Sequence, residues 1–230
     1  ASPVRPGFTA ELRERAATAV IGEKIVGGYE ERDLTADFVS HLDHLVPMSG
    51  QRRLRVVVDA GNGMGGLIVP AVLADREVDL IGLYMDLDGT FPNHPANPLE
   101  PENLVDARSA VREHCADLGL VFDGDADRCF LIDERGEVVD PSVVTAMIAV
   151  AELSKETGGA VVVNAITSQA VADAVAGRGR VEVSRVGHTF VKALMAEKNA
   201  VFGGEHSAHY YFRDFWGADT GVLAALHVLE

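Results

Sequence analysis

The spacing of hydrophobic residues changes from helical to strand-like along the first part of the chain. Within residues 33–45, apolar side chains recur at i, i+4 and i+8 from Leu34 through Phe38 to Leu42, which predicts one buried face of a helix. Residues 52–58 instead end in a short β-branched run, Val56 to Val58, which follows Leu54 and is typical of a buried strand. A glycine-rich turn and another apolar helix follow this strand, so the pattern indicates an α/β unit.

The same alternation continues through the rest of the chain and predicts the positions of its elements. Predicted helices span residues 11–20, 33–45, 67–74, 103–114, 141–157, 168–176, 189–198 and a last segment that begins near residue 219. Predicted strands span residues 52–58, 78–84, 118–122, 160–164, 181–184 and 200–202, with a hairpin over residues 128–140. Four prolines exclude regular structure over residues 91–101, whereas Pro141 favours the first turn of a new helix.

This pattern predicts an α/β fold with two domains. The alternation of helices and strands restarts at residues 137–141, which we therefore take as the boundary. The length of 230 residues fits two units of about 100–150 residues each. The chain begins without Met and stops inside a helical pattern, so we expect it to be a fragment of a longer protein.

Composition and charge exclude several classes of protein. The chain has 20 Lys and Arg against 35 Asp and Glu, a net charge of −15, and it lacks a basic cluster, so a nucleic-acid partner is not expected. It also lacks an apolar run of about 18 residues and a signal-peptide pattern, so no membrane association is expected. Cys115 and Cys129 do not have the spacing of a disulfide framework or a metal site. We expect both to be buried free thiols of a cytoplasmic protein.

The segment DGDADR at residues 123–128 is the strongest candidate for chemistry. Asp123, Asp125 and Asp127 alternate directly after an apolar strand, and carboxylates at i, i+2 and i+4 of a turn can converge on one point. Oxygen-only ligands favour a hard divalent ion, Mg²⁺ before Ca²⁺. Arg128 could then pair with a phosphate oxygen. The alternative is a solvated acidic turn between two strands.

Two other sites have partly similar sequence patterns. An EF-hand loop needs Gly at its sixth position and flanking helices, whereas this segment has Arg128 there and strands on both sides, so we reject that interpretation. A phosphatase of the haloacid-dehalogenase type would use Asp123 as its nucleophile and Asp125 two residues later. Asp127 stands where that class has Thr or Val, and the motif normally opens a domain rather than closing one. The phosphatase stays as the alternative.

Two further segments and the glycine-rich turn offer weaker signals. Glu205, Ser207 and His209 alternate along an extended loop and together offer a carboxylate, a hydroxyl and an imidazole, a set suited to sugar hydroxyls or, alternatively, a simple polar turn. A Ser/His hydrolase is disfavoured because this serine lacks a strand–turn–helix context. In the second segment, Gly187 and His188 open a predicted helix, so backbone amides and the imidazole could face a ligand, although an ordinary turn is at least as good an interpretation.

The glycine-rich turn at residues 59–66 has two possible roles. Its backbone could cradle a phosphate at a helix N-terminus, or its glycines could permit a tight turn and close packing. We favour packing, because the spacing fits neither the dinucleotide-binding fingerprint nor the P-loop.

Taken in order, these segments resemble the α-D-phosphohexomutase superfamily over essentially the whole chain. The segments are VVVDAGNGMGG, FPNHPANPLEPENL, DGDADR, VGHTFVKALM and GGEHSAHYYF. Their sequences are most similar to the bacterial, actinobacterial-type phosphomannomutase/phosphoglucomutase group. Members of that superfamily have four domains. The resemblance implies that residues 1–34 are the tail of the first, 35–137 the second with the metal loop, and 138–230 the third with the sugar loop. It also implies that the last two are consecutive three-layer α/β/α domains with mixed sheets.

The resemblance assigns roles to individual residues. The Mg²⁺ ligands would be Asp123, Asp125 and Asp127. The catalytic Arg128 would help to position the phosphoryl group. The substrate-binding residues would be Gly187, His188, Glu205, Ser207 and His209, of which the first two bear on the orientation of the sugar. Some members carry a lysine where this chain has Ala165 and Ile166, so we assign no general base.

The resemblance also implies the activity, that of a phosphomannomutase. In this superfamily a phosphoserine donates its phosphoryl group to a hexose monophosphate, and a hexose 1,6-bisphosphate forms, turns round and gives back its other phosphate. Expected partners are therefore mannose or glucose 1- and 6-phosphates, their 1,6-bisphosphate, and the missing first and fourth domains. The chain lacks the Thr-Ala-Ser-His-Asn-Pro-like serine loop, so we expect it to be inactive alone. A truncated module that binds sugar phosphate and metal without catalysis is a second hypothesis.

Overall fold

The first β-sheet is formed by the segment between residues 52 and 132. The computed structural model describes residues 7–20, 27–47 and 52–230. The strands of the first sheet are β1 (Leu54–Asp59), β2 (Val78–Leu83), β3 (Leu118–Phe122) and β4 (Cys129–Ile132), in the spatial order β2-β1-β3-β4. The helices of this half are α1 (Phe8–Thr18), α2 (Thr35–Leu45), α3 (Gly65–Leu73) and α4 (Val105–Glu113), with a 3₁₀ turn at Pro101–Leu104.

The second sheet repeats the same plan in the remaining residues. Its strands are β5 (Ala160–Asn164), β6 (Arg180–Ser184), β7 (Phe202–Gly204), β8 (Tyr210–Phe212) and β9 (Ala218–Asp219), in the order β6-β5-β7-β8-β9. Its helices are α5 (Pro141–Lys155), α6 (Gln169–Val175), α7 (His188–Lys198) and α8 (Gly221–Leu229), with a 3₁₀ turn at Arg213–Phe215. No helix within the described ranges has both the length and the hydrophobicity to cross a bilayer.

Both sheets are mixed, which confirms the predicted α/β class. Strand β1 is parallel to β2 and β3, whereas β4 is antiparallel to β3. Strand β5 is parallel to β6 and β7, and β8 and β9 add antiparallel pairs. The central strand β1 is buried on both faces at Val56, Val57 and Val58, as parallel strands covered by helices are. The loops at the carboxyl ends of the parallel strands therefore gather at one edge of each sheet.

One continuous hydrophobic core joins the two sheets. Helix α2 contributes the fully buried Leu42 from the first half, and its Phe38 ring meets the ring of Phe215 edge-on at 6.1 Å between centroids. The ammonium group of Lys155 on α5 donates to the carbonyl of Leu45 at 3.0 Å. The two halves therefore pack together rather than lying side by side on a flexible connection.

The structure confirms one further expectation from the sequence and corrects two. The hairpin predicted over residues 128–140 is confirmed, because the amide of Val139 donates to the carbonyl of Leu131 at 2.9 Å and the amide of Asp133 donates to the carbonyl of Glu137 at 2.8 Å, on either side of an antiparallel bridge between Ile132 and Val138. Its first arm, β4, also pairs antiparallel with β3, and residues 123–128, the acidic loop, connect these two strands. The predicted strand 200–202 is displaced to 202–204. Cys129 is buried as expected, but Cys115 is exposed.

The other elements agree with their predicted positions to within a few residues. Strands β3 and β5 have the predicted bounds. Helix α1 covers residues 8–18 rather than 11–20. Parts of the segment assigned to a preceding domain, residues 1–6 and 21–26, lie outside the described residues.

Replacing Gly66 with Ala tests the close packing of α3 against the loop after β2. A Cβ atom at Gly66 would overlap the backbone carbonyl of Met85, which cannot move aside as a side chain can. We expect the variant to lose about 1–3 kcal/mol of unfolding free energy, measured by urea denaturation. Gly89→Ala is the matched control, because a Cβ there meets nothing within 4 Å, and it should change stability by at most about 0.5 kcal/mol. Equal midpoints for both variants would contradict this account.

Candidate functional site

The acidic loop between β3 and β4 brings the three predicted carboxylates together. One oxygen from each of Asp123, Asp125 and Asp127 lies within 4.8 Å of the other two. Asp123 is buried, Asp127 is half-buried and Asp125 is exposed. Ala126 between them has φ +61°, a left-handed conformation that bends the backbone and that favours glycine. The loop therefore has the convergence that its sequence spacing predicted.

Arg128 closes the acidic loop onto Asp123. Its backbone N–H donates to Oδ1 of Asp123 at 3.1 Å and its Nε donates to Oδ2 at 2.7 Å. Asp123 is only 2% exposed. A carboxylate that is withdrawn from solvent and bonded to a guanidinium is a poor nucleophile, which weighs against the phosphatase alternative. The terminal nitrogens of Arg128 make no hydrogen bond or ion pair with the residues that the structure describes, so they are available to a phosphate.

Asp127 is the least compensated member of the acidic loop. Its Oδ1 is buried and has no hydrogen-bond partner among the described residues, with Nε2 of His209 at 3.5 Å and Nε of Arg128 at 3.8 Å. Burial first, and then the charges of Asp123 and Asp125, raise the pKa of Asp127 to about 7. A buried acceptor without a donor, in a set that offers only oxygen atoms, fits a hard divalent cation.

A second cluster shares Asp127 with the acidic loop. One ligand atom from each of Asp127, His209 and Asp219 also lies within 4.8 Å of the other two. Lys192 donates from its ammonium group to Asp219 at 2.7 Å, and both side chains are largely buried. Each cluster thus has one carboxylate in an ion pair, Asp219 with Lys192 and Asp123 with Arg128. The acidic loop is the better site for a hard divalent cation, because it offers only carboxylate oxygens, whereas the second cluster includes an imidazole.

The glycine-rich turn packs directly on the acidic loop. The amide of Met64, at the start of α3, donates to the carbonyl of Gly124 at 3.0 Å. A Cβ atom on Gly63 would lie 2.6 Å from that same carbonyl oxygen. These contacts agree with the close packing that we favoured for the glycine-rich turn from its sequence. The amide of Met64 is already bonded and is not free to cradle a phosphate.

A buried carboxylate at the end of β1 holds the glycine-rich turn from the other side. Asp59 accepts from the amide of Gly61 at 2.9 Å, and Nε2 of His94 lies 3.2 Å from its Oδ2. The His94 ring also faces the carbonyl of Pro95 through Nδ1 at 2.9 Å. Sequence analysis did not single out Asp59 or His94. The position of Asp59 at the carboxyl end of a parallel strand was the available signal.

The loop between β7 and β8 contains Glu205, Ser207 and His209. Glu205 is 2% exposed, and its Oε1 accepts from the amide of Gly187 at 3.0 Å and from Nδ2 of Asn164 at 3.1 Å. The amide of Gly187 thus pairs with a carboxylate of the same chain, as in the ordinary-turn interpretation, and a binding role of Gly187 stays a prediction. Asn164 is a further member of the site that sequence analysis missed.

Ser207 and His209 form a pair within this loop. The hydroxyl of Ser207 lies 2.9 Å from Nδ1 of His209, and both residues are partly exposed. Nδ1 of His209 is 3.9 Å from Oε2 of Glu205, so the three side chains lie close together, as their alternation predicted. His188 is exposed as the first residue of α7.

Backbone contacts join the acidic loop to residues 205–209, the loop between β7 and β8 that we call the sugar loop after its predicted role. Arg128 and His209 form an isolated antiparallel bridge, and the amide of Cys129 donates to the carbonyl of Ala208 at 3.4 Å. The amide of Gly221, at the start of α8, donates to the carbonyl of Ala126 at 3.0 Å. Residues from two different sheets therefore line one site.

Family profiles cover both halves of the chain. The phosphoglucomutase/phosphomannomutase alpha/beta/alpha domain II matches residues 36–136, and domain III of the same family matches residues 140–230. The chain belongs to the phosphoglucomutase/phosphomannomutase family. Its two sheets, and the loops that meet between them, are therefore those of consecutive domains in this family.

Individual relatives agree with this family assignment. A phosphomannomutase from Escherichia coli is 39% identical over 209 residues, which cover 89% of this chain and 46% of the relative. A crystal structure of a phosphoglucomutase/phosphomannomutase family protein from Burkholderia thailandensis superposes with a TM-score of 0.88 at 29% identity, and covers all of this chain and 50% of that one. The N-acetylphosphoglucosamine mutase of Aspergillus fumigatus in complex with glucose 1,6-bisphosphate shares the fold, with a TM-score of 0.54 and 16% identity over 84% of this chain and 41% of that one. The chain thus spans about half the length of the curated relatives it matches.

Replacing Asp127 with Asn should stabilise the metal-free protein in a pH-dependent way. The folded pKa of Asp127 is raised from 3.8 to about 7, so the folded state holds this proton more tightly than the unfolded state. Ionisation of the carboxyl group therefore lowers the free energy of unfolding progressively between these two values. The gain from Asn should be largest above about pH 7 and should vanish near pH 4.

Urea denaturation in EDTA at several pH values measures this gain. Asp173→Asn on α6, which removes the same charge outside the site, is the control and should show no such trend. A gain from Asp127→Asn that is independent of pH would contradict the raised pKa of Asp127.

Proposed function

We propose that this chain carries the metal-binding and sugar-binding parts of a phosphomannomutase, which interconverts mannose 6-phosphate and mannose 1-phosphate. The observation that carries the proposal is the backbone bridge between Arg128 and His209, because it joins an oxygen-only cation site to a loop of sugar-binding chemistry. The names of the relatives support the reaction. In this proposal residues 1–34, 35–137 and 138–230 belong to the first, second and third domains, and the phosphoserine lies in the part of the relatives that this chain does not match.

Mg²⁺ is the proposed cofactor, and Asp123, Asp125 and Asp127 are its proposed ligands. When bound, Mg²⁺ would neutralise phosphoryl oxygens that the three carboxylates alone would repel. Arg128 has the catalytic role of orienting the phosphoryl group, since its Nε is fixed by Asp123 while its terminal nitrogens stay available. Phosphoryl transfer depends mainly on positioning and charge neutralisation, and these four residues supply both.

The hexose phosphate is proposed to bind against the sugar loop. Ser207 and His209 offer a hydroxyl and an imidazole that are partly exposed and already paired with each other. Glu205 accepts from the amide of Gly187, and the exposed His188 follows as the first residue of α7, so this turn is proposed to contact the sugar as well. Mannose and glucose monophosphates and the hexose 1,6-bisphosphate are the proposed ligands, with these residues holding the sugar while its two phosphates exchange places.

Titration with Mg²⁺ by calorimetry tests the cation site. Asp125 is the exposed member of the acidic loop, so Asp125→Asn removes a ligand with little effect on folding. We expect saturable binding by the parent protein and a loss of affinity of roughly tenfold or more in the variant. Asp173→Asn should bind as the parent does. If the Asp125 and Asp173 variants bind equally well, the acidic loop is not the cation site.

An assay of turnover tests the need for a phosphoserine outside this chain. We expect the purified chain to leave mannose 1-phosphate unchanged when Mg²⁺ and glucose 1,6-bisphosphate are supplied, because the given sequence has no Thr-Ala-Ser-His-Asn-Pro-like segment to carry the phosphoryl group. A coupled assay for mannose 6-phosphate detects the product. Sustained turnover would refute the need for a phosphoserine outside this chain. Release of inorganic phosphate would favour the phosphatase alternative instead.

A further inference from the structure

Tyr211 is a buried residue beneath the sugar loop that none of the proposed roles uses. It lies on β8 with no exposed surface, and its hydroxyl donates to Oε2 of Glu205 at 2.6 Å. Its ring stacks against the imidazole of His209 with 6.2 Å between centroids and 21° between planes. The ammonium group of Lys192 lies 5.5 Å from the centre of the same ring. One side chain thus contacts three polar residues of the site.

We propose that Tyr211 is a positioning residue of the sugar-phosphate site, which fixes the orientation of the Glu205 carboxylate and, through it, the turn at Gly187. The identity of the ligand rests on the proposed function, whereas the positioning itself rests on the hydrogen bonds alone. Tyr211 does not contact a substrate, because its side chain is entirely buried.

The orientation of Glu205 depends on a donor at each of its oxygens. Oε1 accepts from Gly187 and Asn164 on one side, and Oε2 accepts from Tyr211 on the other. The terminal torsion of a glutamate is broad and poorly defined by itself, so these partners set the plane of the carboxylate. Without the Tyr211 hydroxyl, Oε2 would be a buried charged oxygen lacking this bond, and the carboxylate would turn to recover a donor. That rotation would weaken the bond to the Gly187 amide.

The hydroxyl of Tyr211 is suited to a permanent donor role. Burial and the hydrogen bond to Glu205 both raise the pKa of Tyr211 far above its ordinary value, so it stays protonated. A hydrogen bond from a neutral hydroxyl to a carboxylate is short and strong.

The neighbouring Tyr210 provides a matched control. It is equally buried on the same strand, but it points to the opposite face, where its ring lies parallel to that of Phe202 at 6.5 Å. Its hydroxyl is buried and has no hydrogen-bond partner among the described residues. Tyr210→Phe therefore removes the same atom as Tyr211→Phe without breaking a bond.

Hydrogen exchange of the Gly187 amide tests the positioning without any ligand. We expect this amide, followed by NMR in the full chain, to exchange roughly tenfold faster in Tyr211→Phe than in the parent. In Tyr210→Phe it should exchange at the parental rate. An unchanged rate in Tyr211→Phe, or the same acceleration in both variants, would overturn the inference.

Titration with mannose 1-phosphate and with Mg²⁺ connects this positioning to the site. Tyr211→Phe should weaken the binding of mannose 1-phosphate by about three- to tenfold and leave Mg²⁺ affinity unchanged, since the acidic loop lies on other strands. Equal losses for both ligands would indicate general destabilisation and would overturn the role. If the parent itself does not bind mannose 1-phosphate, the proposed function fails, while the Gly187 exchange rate still decides whether Tyr211 positions Glu205.

Discussion

The backbone contact between the acidic loop and the sugar loop is the constraint on which the whole site depends. Helix α8 begins directly against this contact, and a Cβ atom on Gly221 would lie 2.5 Å from the carbonyl oxygen of Arg128. The amide of Gly221 instead donates to Ala126. Two loops from different sheets are thereby fixed to each other by main-chain atoms. In the proposed phosphoryl transfer, where positioning supplies much of the rate, this contact would hold the proposed cation ligands and the proposed sugar ligands at a fixed distance.

Two of the carboxylates near this contact are neutralised by ion pairs, and a third is not. Arg128 neutralises the buried Asp123, and Lys192 neutralises Asp219, each through a short ion pair. Asp127 lies between these pairs and has no cation of its own at hydrogen-bond distance among the described residues. The chain has a net charge of −15, and a carboxylate without a partner at this position attracts a positive ion. In the proposed function, a cation bound at the acidic loop would therefore stabilise the site.

Much of the fold was predictable from the sequence, because the signals were local. The apolar run LGLVF indicated the bounds of β3 and the valine run of AVVVN those of β5, and the spacing of Asp123, Asp125 and Asp127 predicted their convergence. The hairpin over residues 128–140 was predictable because its turn is local, whereas no local signal indicated that β4 also pairs with β3 across the acidic loop. Cys115 was expected to be buried from the apolar residues near it, but it lies exposed just after α4.

The parts of the site that the sequence did not reveal depend on contacts between distant segments. Lys192 meets Asp219 across 27 positions, and Asn164 meets Glu205 across 41. No periodicity or spacing within one element encodes such pairs. The alternation of Glu205, Ser207 and His209 indicated this loop, but it did not indicate that Glu205 is buried and accepts hydrogen bonds from three donors.

The burial of Glu205 and its three hydrogen bonds limit its capacity to bind a ligand directly. A carboxylate can accept about four hydrogen bonds, and Gly187, Asn164 and Tyr211 already take three. At most one acceptor position is left for a sugar hydroxyl. Ser207 and His209 are more exposed, so a sugar entering the site meets them first. In the proposed function, Glu205 would therefore contribute to sugar recognition mainly by holding the loops in register, with direct contact to the sugar limited to that single remaining position.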